Sequence, residues 1–281
     1  MTRSKRALLT AVITLVAAYL LICLAAFLLQ RKLIYHPNRD VVATPNAIGL
    51  EYQEFALLAP DSVTFKVWRI MRPAPRAVVI CFHGNADNIS RNLDLYRTWF
   101  NLGAEIIAFE YRGYLDTAGE PSESGIDLDL AVLADSLKTW YPDRSTKIIA
   151  MGRSLGGAVA AKLADIYPVD GIILESTFST MADVARERFP FLPAKLLLRE
   201  RYDSESIVHR LSIPLLVIHS TTDEVIPFHL GRKLYNAANE PKQFLEIQGG
   251  HNSGVEISQS VLESAYGDFL NRILLSEHTA N

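Results

Sequence analysis

The feature that most constrains this chain is a serine held between glycines, Gly152-Arg153-Ser154-Leu155-Gly156-Gly157. Before it, Lys147 to Met151 form a short apolar run with two β-branched isoleucines. After it, Ala158 to Leu163 are good helix formers. A strand that passes into a helix through so short a connection must bend sharply. Side chains flanking the bend would clash, so glycine is needed on either side. The bend lifts the serine hydroxyl clear of the carboxyl end of the strand. It also sets the serine at a helix N-terminus, where developing negative charge is favoured. Ser154 is therefore the candidate nucleophile. The G-x-G-x-x-G pattern that would suit a dinucleotide is absent from this turn.

The rest of the chain repeats strand then helix. Ala77 to Phe82 (AVVICF) is continuously apolar, as a strand buried on both faces must be. Glu105 to Tyr111, Gly171 to Leu174 and Pro214 to His219 share that character, and Phe244 to Ile247 is a weaker last member. Helices are expected at 88–102, 123–140, 154–166, 227–238 and 255–274. Ahead of them, residues 51–58 and 62–71 read as two β-rich runs around a Pro60-Asp61 turn. The expected fold class is α/β: a mostly parallel, doubly wound sheet opened by an antiparallel hairpin. The rhythm breaks between Phe178 and Ser212, where Pro190, Pro193, Phe189, Phe191, Leu192 and Leu196 to Leu198 occur without a strand. A connection of that length serves as a lid or as a cover that completes the core. A short helical cap is expected at about 178–212.

Ala7 to Leu29 carries no charge. At about 1.5 Å per residue it is long enough to cross a hydrocarbon layer of about 30 Å. Arg3, Lys5 and Arg6 precede it, and Arg31 and Lys32 follow. A cleaved signal peptide has a shorter apolar region and a small-residue cleavage site. A lipoprotein reading at Cys23 suits poorly, because Ile22 precedes it and apolar residues follow. An uncleaved single-pass anchor is expected. The three early basic residues and the amino terminus place the N-terminus inside, and so the catalytic domain outside the cytoplasm. The expected organisation is an anchor at 1–30, a juxtamembrane connector at 31–50, a catalytic domain at 51–275 and a polar tail at 276–281.

Composition excludes several classes. With 49% hydrophobic residues and a net charge of -3, the chain is too apolar and too weakly charged for disorder. It has no basic patch for a nucleic acid. Its two cysteines, Cys23 and Cys81, have no metal-ligand spacing and are not expected to pair. Cys81 reads as a small buried hydrophobe. No H-E-x-x-H occurs, so neither metal nor cofactor is expected.

A serine hydroxyl needs a base to take its proton, and that base needs an acid to orient it. In chain order the acid should follow the serine, and the histidine should follow the acid. His251, in Gly249-Gly250-His251-Asn252, comes just after the last expected strand and is the candidate base. His229, within an expected helix, and His278, in the polar tail, are worse placed. Asp223 follows the strand Pro214 to His219 and is the candidate acid, with Glu224 beside it as the competitor. An oxyanion would be held by backbone N–H groups: that of Leu155, after the nucleophile, and that of Asn85, in the loop after Ala77 to Phe82. His83, at the end of that strand, suits a role in shaping the loop.

Taken in order, HGNADNISRN, YRGYLDTAGEPSE, GRSLGGAVA, LESTFSTM, TDEVIP and GGHN resemble the α/β-hydrolase superfamily. Above all they resemble its small membrane-anchored serine hydrolases, which carry HGNAGN and YRGYG motifs. The resemblance covers about residues 33–275. It implies the fold, a Ser-His-Asp triad and architectural roles for Tyr111 and Arg112. Two positions depart from it: Asp87 and Leu115 stand where the family has glycine. Some eukaryotic members remove fatty acyl groups from proteins.

The expected chemistry is acyl transfer to water from a carboxylic ester or thioester. The substrate would be a small molecule, a lipid or an acylated protein, and the N-terminal helix would contact membrane lipid. An amidase or peptidase, or a non-catalytic membrane-tethered interaction module, remains as an alternative. Oligomeric state is left open.

Overall fold

A computed structural model describes residues 2–275. The expected polar tail, with His278, lies outside the described residues. In chain order the elements are α1 (Arg3–Ile34), β1 (Gln53–Leu58), β2 (Thr64–Ile70), β3 (Ala77–Phe82), α2 (Leu93–Asn101), β4 (Ala104–Phe109), α3 (Glu123–Trp140), β5 (Lys147–Arg153), α4 (Leu155–Ile166) and β6 (Gly171–Glu175). Then come α5 (Met181–Arg188), α6 (Ala194–Leu197), α7 (Ser204–Arg210), β7 (Leu215–Ser220), α8 (Phe228–Ala237), β8 (Lys242–Ile247), α9 (Gly254–Ile257) and α10 (Gln259–Leu275).

The strands form one sheet in the order β1-β2-β4-β3-β5-β6-β7-β8. β1 and β2 make the antiparallel hairpin, β2 joins β4 antiparallel, and every pairing from β4 to β8 is parallel. The expected α/β class therefore holds, and its reason is visible in β3. All six of its residues are buried. Val78, Ile80 and Phe82 face a core under α3, α4, α7 and α8, whereas Ala77, Val79 and Cys81 face a second core under α2 and α10. Period-two alternation sends successive side chains to opposite faces, so a strand covered on both must be apolar throughout. Both cysteines are free.

Three of the boundaries that differ from expectation have a clear local reason. The helix expected from residue 88 opens with a 3-10 turn, Ile89–Arg91, because the Asn88 side chain accepts the Ser90 N–H at 2.9 Å. β4 stops at Phe109 rather than Tyr111, and the Glu110 carboxylate turns inward to bond His83 and the Ile89 N–H. α1 runs to Ile34, past residue 30. Its basic last turn, Arg31 and Lys32, suits a helix C-terminus, and the Tyr35 N–H closes on Arg31 O at 2.8 Å. The helices α5, α6 and α7 form the cap between β6 and β7.

Candidate active site

Ser154 sits at the bend between β5 and α4 with φ 54° and ψ -121°. For a non-glycine residue that conformation costs about 1–3 kcal/mol and persists only where its surroundings enforce it. Here the Ser154 N–H donates to Glu175 O at 2.9 Å, and Ser154 O accepts from the Gly157 N–H at 3.0 Å and the Thr177 hydroxyl at 2.7 Å. The glycines are there for space. A Cβ on Gly152 would lie 1.9 Å from Gly156 O, and one on Gly156 would lie 2.2 Å from Phe82 O. β5, α4 and the end of β3 thus meet at backbone contact, with no room for a methyl group.

His251 Nδ1 donates to Asp223 Oδ2 at 2.7 Å. The other carboxylate oxygen accepts the N–H groups of Val225 at 2.9 Å and Ile226 at 2.8 Å. Burial raises the Asp223 pKa, but the hydrogen bond and charge of His251 and these two N–H groups outweigh it and hold the carboxyl below its ordinary value. With its Nδ1 proton committed to Asp223, neutral His251 keeps a lone pair on Nε2 for an incoming proton. Among the described residues the Ser154 hydroxyl makes no hydrogen bond, a looseness common before substrate closes a catalytic pair. Glu224, the competitor for the acid, is used differently: its carboxylate accepts the backbone N–H of His251 at 2.9 Å. A Cβ on Gly250 would lie 2.5 Å from that carboxylate. Sequence reasoning missed this role and also His219. That buried histidine donates from Nε2 to Ile226 O at 2.9 Å and lies 3.6 Å from Asp223, and burial holds its pKa down. His229 lies on α8 and pairs with Glu187 at 3.1 Å.

The loop after β3 passes close to the serine, since a Cβ on Gly84 would lie 3.8 Å from Ser154 Cβ. Among the described residues, the backbone N–H groups of Asn85 and Leu155 have no acceptor. The Asn85 side chain is committed elsewhere: its Oδ1 accepts from the Tyr114 hydroxyl at 2.7 Å and the His36 N–H at 3.2 Å, and its Nδ2 donates to Ile34 O. His83 lies beneath, fully buried. Its Nδ1 meets Gly84 O at 2.7 Å and its Nε2 meets Glu110 at 2.8 Å. Both partners are acceptors, a pairing that a ring protonated on both nitrogens satisfies best. Burial pulls its pKa down, yet the Glu110 charge and hydrogen bond win and the net shift is upward. The Tyr111 hydroxyl donates to His83 O at 2.8 Å. Arg112 bridges Asp129, at 2.6 Å and 2.8 Å, to Asp61 at 2.6 Å. Both side chains are thus structural supports.

Residues 73–200 match the family model described as serine aminopeptidase, S33. The chain is 30% identical to an uncharacterized membrane protein of Saccharomyces cerevisiae, YNL320W, over 88% of this chain and 89% of that one. It is 32% identical to the lysophosphatidylserine lipase ABHD12 of Mus musculus, over 61% of this chain and 48% of that protein. In structure it is similar to the Pyrococcus furiosus esterase Pf2001, with a TM-score of 0.70 at 20% identity, covering 86% of this chain and 98% of the esterase. The chain belongs to the α/β-hydrolase superfamily. It is a hydrolase by family.

In this α/β hydrolase the two departures from the family motifs have local explanations. Leu115 stands at φ 48°, a conformation glycine adopts freely and leucine does not, and its side chain is buried in the core under α2 and α10. Asp87 accepts the Asn88 N–H at 3.0 Å and the Asn92 amide at 3.1 Å, tying the loop after β3 to the start of α2. The cap of this hydrolase packs against α1. Glu200, buried, accepts from Arg31 at 2.9 Å, from the Tyr35 hydroxyl at 2.7 Å and from the Glu123 N–H at 2.5 Å. Gln30 accepts the Arg199 N–H at 2.7 Å. Between α1 and the cap lies an apolar cavity of about 360 Å³. Ser154, Asp223 and His251 are not among the residues that line it. Among the described residues no group of His, Cys, Asp and Glu is arranged to hold a metal ion.

Proposed function

We propose that this hydrolase is a membrane-anchored serine esterase or thioesterase working through Ser154, His251 and Asp223. The observation that carries the reading is the 2.7 Å bond between His251 Nδ1 and Asp223, made at the carboxyl edge of the sheet that also bears the Ser154 bend. The Ser154 oxygen attacks the acyl carbon while His251 Nε2 takes its proton. Negative charge moves to the former carbonyl oxygen, where the N–H groups of Leu155 and Asn85 receive it. The intermediate collapses, the leaving oxygen or sulfur takes the proton from His251, and an acyl-serine remains. Water, deprotonated by His251, attacks that ester by the same route and frees Ser154. Asp223 holds the imidazole in the tautomer these steps require and stabilises its charged form.

A lipophilic acyl group is the substrate class we infer, drawn from a small molecule, a lipid or an acylated protein. The apolar cap, the length and apolarity of α1 and the lipase and esterase relatives support it. We infer also that α1 anchors the chain with its catalytic domain outside the cytoplasm, on the charge of Arg3, Lys5 and Arg6. The aminopeptidase description of the matched family supports an amide substrate as the second reading.

A fluorophosphonate probe tests the assignment. Folded protein should be labelled at Ser154, and Ser154→Ala should not be labelled; persistent labelling of that variant refutes the nucleophile. A series of p-nitrophenyl esters of rising chain length, with thioester and anilide comparators, then separates ester from amide chemistry. Proteolysis of the domain in sealed cells is expected, and protection would reverse the orientation.

A further inference from the structure

The first two thirds of α1 and the remainder have different surroundings. Residues 2–22 are exposed throughout, whereas Cys23 and Gln30 are buried and Ala26 and Phe27 half-buried. Tyr19, Cys23, Ala26, Phe27 and Gln30 recur at helical spacing and share one face. That face meets the cap. The Tyr19 hydroxyl donates to Phe191 O at 2.9 Å, Gln30 Nε2 donates to Leu197 O at 3.3 Å, and the Arg199 guanidinium lies 4.7 Å from the Phe27 ring centre.

Length then places the cap. Ala7 to Ala18, the apolar residues before the first cap contact, extend only about 18 Å at about 1.5 Å per residue. Even counted from Arg3, the helix reaches Tyr19 after about 24 Å, short of the hydrocarbon thickness of about 30 Å. A helix that crosses the bilayer therefore carries the tip of the cap below the headgroups. The cap is built for such a solvent. Phe191 and Leu196 are 60% and 85% exposed, which is costly in water and favourable in hydrocarbon. Backbone N–H groups there gain most from internal partners. Those of Leu192, Ala194, Leu196, Leu197 and Leu198 bond within the cap, Pro190 and Pro193 have none, and Gln30 Oε1 accepts those of Arg199 and Glu200; among the described residues only those of Phe191 and Lys195 in this run are left without an acceptor. The exposed Lys195 has a stem long enough to snorkel to the headgroups.

We propose that the cap is embedded in one leaflet, and that the cavity of about 360 Å³ between it and α1 holds an acyl chain of a bilayer lipid. Ala25, Ala26 and Leu29 line it from the helix, and Ala185, Phe189 and Leu197 from the cap. The lining atoms are almost wholly apolar, and the small alanines leave the space a methylene chain fills. The occupant is lipid rather than a protein segment, because one wall belongs to the helix that crosses the bilayer and the rim is exposed apolar side chain. This rests on the reading of α1 as an anchor and is independent of the triad.

The test uses the full chain carrying Ser154→Ala, reconstituted in phosphatidylcholine vesicles containing a trace of phosphatidylcholine with a diazirine on one acyl chain. After irradiation, label should appear in peptides spanning 22–33 and 185–198. Ala25→Trp, or Ala185→Trp from the opposite wall, should reduce that label about tenfold, while Leu15→Trp on the free part of the helix leaves it unchanged. Depth is read separately: Phe191→Trp should be quenched by phosphatidylcholine brominated at mid-chain well beyond the quenching of the parent's own three tryptophans. Label confined to residues 7–18, label indifferent to both cavity-filling variants, or an unquenched Trp at 191 overturns the proposal. Because Ser154 is absent throughout, failure of the triad reading leaves these outcomes untouched.

Discussion

The arrangement of two adjacent carboxylates makes opposite demands on their amides. In Asp223→Asn, the amide oxygen stays with the N–H groups of Val225 and Ile226, which lie 2.9 Å and 2.8 Å from Oδ1 and require an acceptor. The amide nitrogen must then take the Oδ2 position, 2.7 Å from His251 Nδ1. A donor there forces Nδ1 to accept, so the imidazole proton moves to Nε2. That is the nitrogen that must take the serine proton. The ring is left in the unproductive tautomer without a change in shape. The expected loss is about 10⁴-fold in kcat, or about 5.5 kcal/mol at about 1.36 kcal/mol per tenfold. Glu224→Gln behaves otherwise. Glutamine keeps an oxygen for the His251 N–H, so the loop keeps its position and activity should fall by no more than a few-fold. Both variants are measured by ester hydrolysis and fluorophosphonate labelling, with thermal unfolding to verify the fold. Near-parental activity in Asp223→Asn together with an inactive Glu224→Gln would falsify the assignment and move the acid to Glu224.

Further outcomes follow from the packing. Gly156→Ala drives a Cβ to 2.2 Å from Phe82 O, and should cost about 3 kcal/mol in unfolding free energy, read by denaturant titration, with loss of probe labelling. His83→Gln removes the imidazole partner of the buried Glu110 carboxylate, leaving it the N–H groups of Ile89 and Tyr111, and should cost about 3 kcal/mol. Because the folded pKa of His83 is raised above its ordinary 6.5, its contribution to stability is full below that pH and is lost as pH rises through the folded value. Stability curves of the parent and His83→Gln should therefore converge toward high pH, and a gap that widens there refutes the raised pKa of His83. Glu200→Ala removes the acceptor shared by Arg31, Tyr35 and the Glu123 N–H, and should cost about 2–3 kcal/mol in detergent. In that variant a protease site engineered between α1 and the cap should be cut faster.

Much of the fold could be read directly because it depends on short-range pattern. The apolar runs of β3 and β5 and the glycines around Ser154 are local responses to burial and to a tight bend, and neighbours in the chain carry them. The departures were of the same scale: Asn88 capping a 3-10 turn and Glu110 leaving β4 are single side chains choosing a backbone partner. For the candidate site, position after a strand favoured Asp223 over Glu224, and a glycine-rich loop after the last strand favoured His251 over the helical His229. Position was not enough to find what Glu224 does, since an acidic residue beside an acid carries no mark of its partner.

By itself, the sequence determined the α/β class, the bend at Ser154 and an N-terminal helix long and apolar enough to cross a bilayer. Each is set by periodicity, turn chemistry or length along a few consecutive residues. Only the tertiary structure decided which charges meet. Crossovers bring Glu110 onto His83 from 27 positions away and Glu224 onto the His251 N–H from the same separation. The cap returns to α1 across 172 positions, joining Phe191 to Tyr19. No local pattern encodes those meetings, because their energy comes from burying groups whose partners arrive only when the sheet has closed.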